Sequence, residues 1–79
     1  MLLTPQLARQ WLTAGGWTPT PPAPGHQDRV NHYAAAMRAG QWRDNSPITF
    51  RSGRLVDGVH RCWAVIRSEV TIQVAVLDL

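Results

Sequence analysis

The segment Leu55-Val56-Asp57-Gly58-Val59-His60-Arg61 constrains this chain more than any other. A short apolar run leads into Asp-Gly, a turn dipeptide, and a breaker-free stretch follows it. The reading is a strand that turns sharply into a helix at Gly58, where a residue without Cβ is most useful. A helix N-terminus exposes unpaired N–H groups and the positive end of its dipole, an arrangement that holds anions. His60 and Arg61 fall in that first turn, close to such an anion. Asp57 stands just before it, placed to cap the helix, to accept from its amides or to help hold a metal. As phosphate- or nucleotide-binding candidates, Gly58, His60 and Arg61 are compatible with one phosphate pocket without requiring it, and Asp57 and His60 are the candidates for any catalysis there. No metal site is assigned on a single carboxylate. Arg61 is the strongest of these. A positive charge beside the positive end of a dipole is unhelpful unless an anion or a carboxylate, such as Asp57 or Asp44, answers it.

The elements around this turn follow from periodicity and punctuation. Thr4-Pro5 opens a helix with a hydroxyl at the N-cap and proline at the first helical position. Leu7, Trp11 and Leu12 share a face, and Gly15-Gly16 closes the helix. Residues 17–25 hold four of the six prolines and read as a stiff, extended connector, with docking to an aromatic groove as the sharper alternative. A second helix runs from about Gln27 to Ala39, with Val30, Tyr33, Ala34 and Met37 at i, i+3, i+4 and i+7. Arg29, His32 and Arg38 lie off that stripe. Ile48-Thr49-Phe50 and Leu55-Val56 form a hairpin across Arg51-Ser52-Gly53-Arg54. The third helix runs to about Arg67, and strict alternation from Val70 to Val76 gives one half-buried strand. The expected fold is α+β: a small mixed sheet, hairpin plus C-terminal strand, packed with three helices.

Length permits one domain, here residues 1–79, with an N-terminal helix (1–16), a proline-rich connector (17–25) and a core (26–79). So short a chain builds a small core, which leaves room for a protein partner or a homodimer. A single cysteine, Cys62, excludes an internal disulfide and is expected to be a buried core thiol. The apolar runs are too short to span a bilayer, and Met1-Leu2-Leu3 runs straight into Thr4-Pro5 without the regions of a signal peptide. The expected location is cytoplasmic. The net charge of +3 comes from eight arginines and no lysine, a bias that points to a high-GC bacterial or phage genome and, more weakly, to anionic partners.

Ile48, Phe50, Gly53, Leu55, Asp57-Gly58, His60-Arg61 and Ala64 together make a longer pattern. It resembles the I-x-F-x-x-G-x-L-x-D-G-x-H-R-x-x-A pattern of the ParB/sulfiredoxin-like superfamily. Tyr33, Met37, Gly40 and Trp42 look like the helix end that precedes it in small phage and mobile-element members. The resemblance covers roughly Arg29 to Leu77 and leaves the first helix and the proline run outside. It implies that Gly58 and Arg61 bind nucleotide phosphates and that His60 contacts the ligand. A nucleoside triphosphate with magnesium is the cofactor it suggests. Members include CTP-binding partition proteins, ATP-dependent sulfinic-acid reductases, nucleotide-dependent kinases and nucleases. Val59 stands where the reductases place their catalytic cysteine, so reductase chemistry is not expected. The downstream nucleotide motif of a CTPase clamp is not found either.

Two tryptophans have the chemistry to stack on bases. Trp42 is expected in the core, and Trp63 exposed as an interface anchor. Arg51 and Arg54, at the hairpin tip, are candidates for contact with a nucleic-acid backbone. Three functional classes follow. One is a domain that binds a nucleotide or nucleic acid at the Asp57–Arg61 turn. The second is a protein-interaction module or phage inhibitor that keeps the fold without ligand chemistry. The third is a metal-assisted nuclease working through Asp57 and His60.

Overall fold

The computed structural model describes residues 1–19, 24–43 and 46–79. Its elements are β1 (Leu2–Leu3), α1 (Pro5–Ala14), α2 (Pro24–Arg38), β2 (Ile48–Arg51), β3 (Arg54–Asp57), α3 (Val59–Ser68), β4 (Ile72–Gln73) and β5 (Val76–Asp78). The fold is the expected small α+β arrangement. One sheet has the order β3-β2-β5, with β2 and β3 antiparallel and β5 parallel to β2, while β1 and β4 form a separate antiparallel pair.

α3 is the hub. Val59, Cys62, Trp63, Ala64 and Val65 are all buried along it, and both α1 and α2 pack against it. The core continues through Leu3, Leu12, Val30, Ala34, Met37, Ile48 and Leu55. The α2 stripe foreseen from its spacing supplies Val30, Ala34 and Met37, and Tyr33 packs on its margin.

Local signals set most boundaries. Thr4 Oγ1 accepts from the Leu7 amide at 3.1 Å, and proline fills the first helical turn of α1. At its other end Trp17 donates its amide to the Leu12 carbonyl at 2.8 Å and Gly16 to Thr13 at 3.1 Å. This Schellman closure needs the left-handed conformation that Gly16 adopts at φ +82°. The closure brings Trp17 against α3, where its ring meets Trp63 edge-on at 6.3 Å.

Two expectations about elements need correction. α2 begins at Pro24 rather than Gln27, because proline lacks only an N–H that the first helical turn leaves unused. Pro24 and Gly25 are therefore helix, not connector; Pro21 and Pro22 lie outside the described residues. The single strand expected over Val70–Val76 is two strands in two sheets. Leu2–Leu3 takes the first part and β2 the second, with Val74 bonded to Met1 between them (the Val74 amide to the Met1 carbonyl at 2.9 Å, the Met1 amino group to the Val74 carbonyl at 2.8 Å). Alternation still holds from Ile72 to Ala75, yet Val76 and Leu77 are exposed. No helix among the described residues is long and apolar enough to cross a membrane.

Candidate functional site at the start of the third helix

Gly58 is the N-cap of α3 and sits at φ 102°, ψ 13°. A Cβ built there would lie 2.5 Å from Ile48 Cδ1 and 3.2 Å from Arg61 Nη2. The left-handed conformation thus disfavours any side chain, and Ile48 would have to shift to admit one, as the sequence indicated for this turn. Because Gly58 takes the capping position, Asp57 does not cap α3. The aspartate ends β3 instead, exposed at the rim of a pocket.

Arg61 turns inward. Only 6% of its surface is exposed. Its guanidinium donates to the carbonyls of Ser46 and, at 3.1 Å, Pro47, tying the chain ahead of β2 to the first turn of α3. The best sequence candidate therefore lines the pocket while also holding its floor together.

His60 meets a residue to which the sequence gave no role. Its Nε2 lies 2.7 Å from His26 Nδ1, so one ring donates and the other accepts. Burial, the positive charge of Arg29 and then that of His26 hold His60 below the ordinary histidine value. His26, Arg29 and Tyr33 recur at i, i+3 and i+7 on α2, the spacing of one helix face. That face looks onto the start of α3. The spacing is present in the sequence, but a stronger apolar stripe runs one position over on the same helix, and nothing in one dimension says which helix end a polar stripe will meet.

Three concavities converge here. One, of about 220 Å³, is lined by Arg29, Tyr33 and Ser46 together with Asp57, Gly58, His60 and Arg61. A second, of about 390 Å³, shares Arg29, Asp57, Gly58 and His60 and adds Trp17, Val56, Val59 and Trp63. A third lies against Gly25 and His26 and again includes Arg29 and His60. Arg29 is exposed, borders all three, and has no hydrogen-bond or ion-pair partner among the described residues.

Other sequence candidates fall elsewhere. Trp63 is not an exposed anchor: 3% of it is accessible, and its Nε1 donates to the Thr18 carbonyl at 2.7 Å. α3 is the hub, so nearly every face of it is covered. Trp42 packs on Tyr33 with ring centroids 5.0 Å apart, and its buried Nε1 finds no partner among the described residues. Arg51 and Arg54 are exposed at the hairpin and line none of these concavities. Cys62 is fully buried, and burial pushes its thiol up to about 12, outweighing the opposite pull of Arg61. At neutral pH it is a protonated core side chain. Among the described residues no three histidine, cysteine or acidic side chains gather to hold a metal.

Together these features define a small α+β domain with a basic, partly aromatic pocket at a strand–helix turn. No family model, curated protein or solved structure matches the chain.

Proposed function

We propose that this domain binds a phosphate-bearing ligand, a nucleotide or nucleic acid, in the pocket between the starts of α2 and α3. One observation carries the reading. The guanidinium of Arg29, unpartnered among the described residues, lines a concavity that also contains His60, Arg61 and the N-terminal end of α3, with the Asp57 carboxylate as its one acidic side chain among them. Such a convergence of positive potential is favourable when an anion occupies it and mildly unfavourable when none does. The resemblance of the Asp57–Arg61 turn to the ParB/sulfiredoxin-like superfamily supports the same ligand class. It also suggests a nucleoside triphosphate with magnesium as one form of it. The division of labour differs from what the resemblance implies, because Arg61 supports the site and Arg29 reaches the ligand.

A second reading, a protein-interaction module, has one observation in its favour: the edge strand β5 exposes Val76 and Leu77, with Leu79 beyond it. A nuclease would draw on the first pocket through Asp57 and His60, both of which line it.

The test is thermal melting with pyrophosphate, with nucleoside triphosphates plus or minus magnesium, and with short DNA. Ligands that bind should raise the melting temperature of the wild type. Arg29→Ala should melt unliganded as wild type does, while losing roughly tenfold in affinity through one charge-assisted contact. A melt unmoved by every ligand sinks the phosphate reading and leaves the interaction module. Magnesium-dependent cleavage of the DNA, lost in Asp57→Asn, would extend the reading to a nuclease.

A further inference from the structure

Away from the strands at the chain ends, two large apolar residues are exposed among the described residues, Trp17 at 41% and Val56 at 49%. Both line the same 390 Å³ concavity. Trp17 is not loose there. Its Nε1 donates to the Leu55 carbonyl at 3.1 Å, and its ring stands edge-on to buried Trp63 at 89°. A tryptophan whose polar edge is satisfied and whose ring is held still, but not covered, is a preorganised stacking surface. The same concavity is lined by Arg29, His60 and Asp57, which it shares with the phosphate pocket.

We infer that Trp17 and Val56 form the wall against which the base of a nucleotide unit packs, its phosphate lying between Arg29 and His60. The inference rests on the phosphate reading above and goes beyond it by adding a base subsite. That subsite comes from the Trp17 segment, which the superfamily resemblance leaves outside. The juxtaposition is what selects the occupant. A bare polyanion leaves the apolar wall wet, and a purely apolar ligand leaves Arg29 unanswered. A planar heterocycle joined through a sugar to a phosphate satisfies both. A base paired inside a duplex cannot present its face to Trp17, so the unit is either a free nucleotide or part of a single strand.

The test compares adenosine 5′-monophosphate, ribose 5-phosphate, a short single strand and the corresponding blunt duplex, by calorimetric titration of wild type, Trp17→Ala, Trp17→Phe and Val56→Asn. Wild type should bind the nucleotide about tenfold more tightly than ribose 5-phosphate. Trp17→Ala and the uncharged Val56→Asn should bring that ratio close to one with ribose 5-phosphate affinity unchanged, and Trp17→Phe should retain most of it. Val56 is an exposed edge-strand residue, so its variant decides the matter if Trp17→Ala unfolds. A single strand that outcompetes the free nucleotide names the polymer as the source; the reverse names the mononucleotide. Equal binding of nucleotide and ribose 5-phosphate to wild type overturns the base wall and leaves the phosphate site standing. So does a ratio unaffected by either wall substitution, or preference for duplex. Binding of none of the four overturns both.

Discussion

The first two turns of α2 and the first turn of α3 each carry a histidine and an arginine, and the fold gives the two arginines opposite work. In α3, Arg61 is buried and bonded to the carbonyls of Ser46 and Pro47. In α2, Arg29 is exposed and unpartnered among the described residues, at the edge of the same pocket. The two histidines meet between them at 2.7 Å. Residue type and nearness to a helix start do not separate a ligand-facing arginine from a structural one. Burial and the identity of the acceptors do. A guanidinium committed to backbone carbonyls orders the protein, whereas one facing open solvent beside a helix N-terminus awaits an anion.

The largest effect should come from the turn that sets α3 in place. Gly58→Val meets Ile48 and must adopt a positive φ, so it should destabilise the protein by about 3 kcal/mol, combining overpacking with backbone strain. Denaturant titration checks this. A midpoint matching wild type would mean that the start of α3 is not pinned as described, and the contrast between the helices would lose its basis.

Next in size is the contrast itself. Arg61→Ala should destabilise the unliganded protein by about 2 kcal/mol, since the Ser46 and Pro47 carbonyls lose the charged donors that tie them to α3. Arg61→Lys should recover only part, because an ammonium cannot span two acceptors as a planar fork does. Arg29→Ala, at an exposed position, should stay within about 0.5 kcal/mol of wild type. Equal losses of stability in the two alanine variants, measured side by side, would erase the distinction.

The smallest effect is the dependence on pH. His60 is held below its ordinary value of 6.5 by burial, Arg29 and His26, in that order. As pH falls, the unfolded chain takes up this proton first. The contribution of His60 to stability is therefore full above the ordinary value and is lost as pH drops through the lowered, folded one. Melting temperature should decline modestly from about pH 7.5 to about 5, and His60→Asn should flatten part of that decline. Sulfate, whose charge is constant across this range, should bind more tightly at the acid end by favouring the imidazolium. Parallel pH profiles for wild type and variant would remove His60 from the explanation.

Local chemistry was legible in the sequence wherever one residue settled it. Thr4-Pro5 announced α1, the spacing of Val30, Ala34 and Met37 announced the buried face of α2, and Asp57-Gly58 announced the strand–helix turn. Each is a short-range matter of a cap, a period or a missing Cβ. What the tertiary structure alone decided was how those local pieces face one another. It split Val70–Val76 between two sheets because Leu2–Leu3 and Ile48–Arg51 offered edges at its two ends. It buried Trp63 because α1 and α2 both pack on α3. It brought His26 to His60 across 34 residues of sequence and turned Arg61 inward while leaving Arg29 out. The physical reason is common to all of these. Burial and pairing depend on which surfaces come together, and a period along one segment says which residues share a face but not what that face will meet.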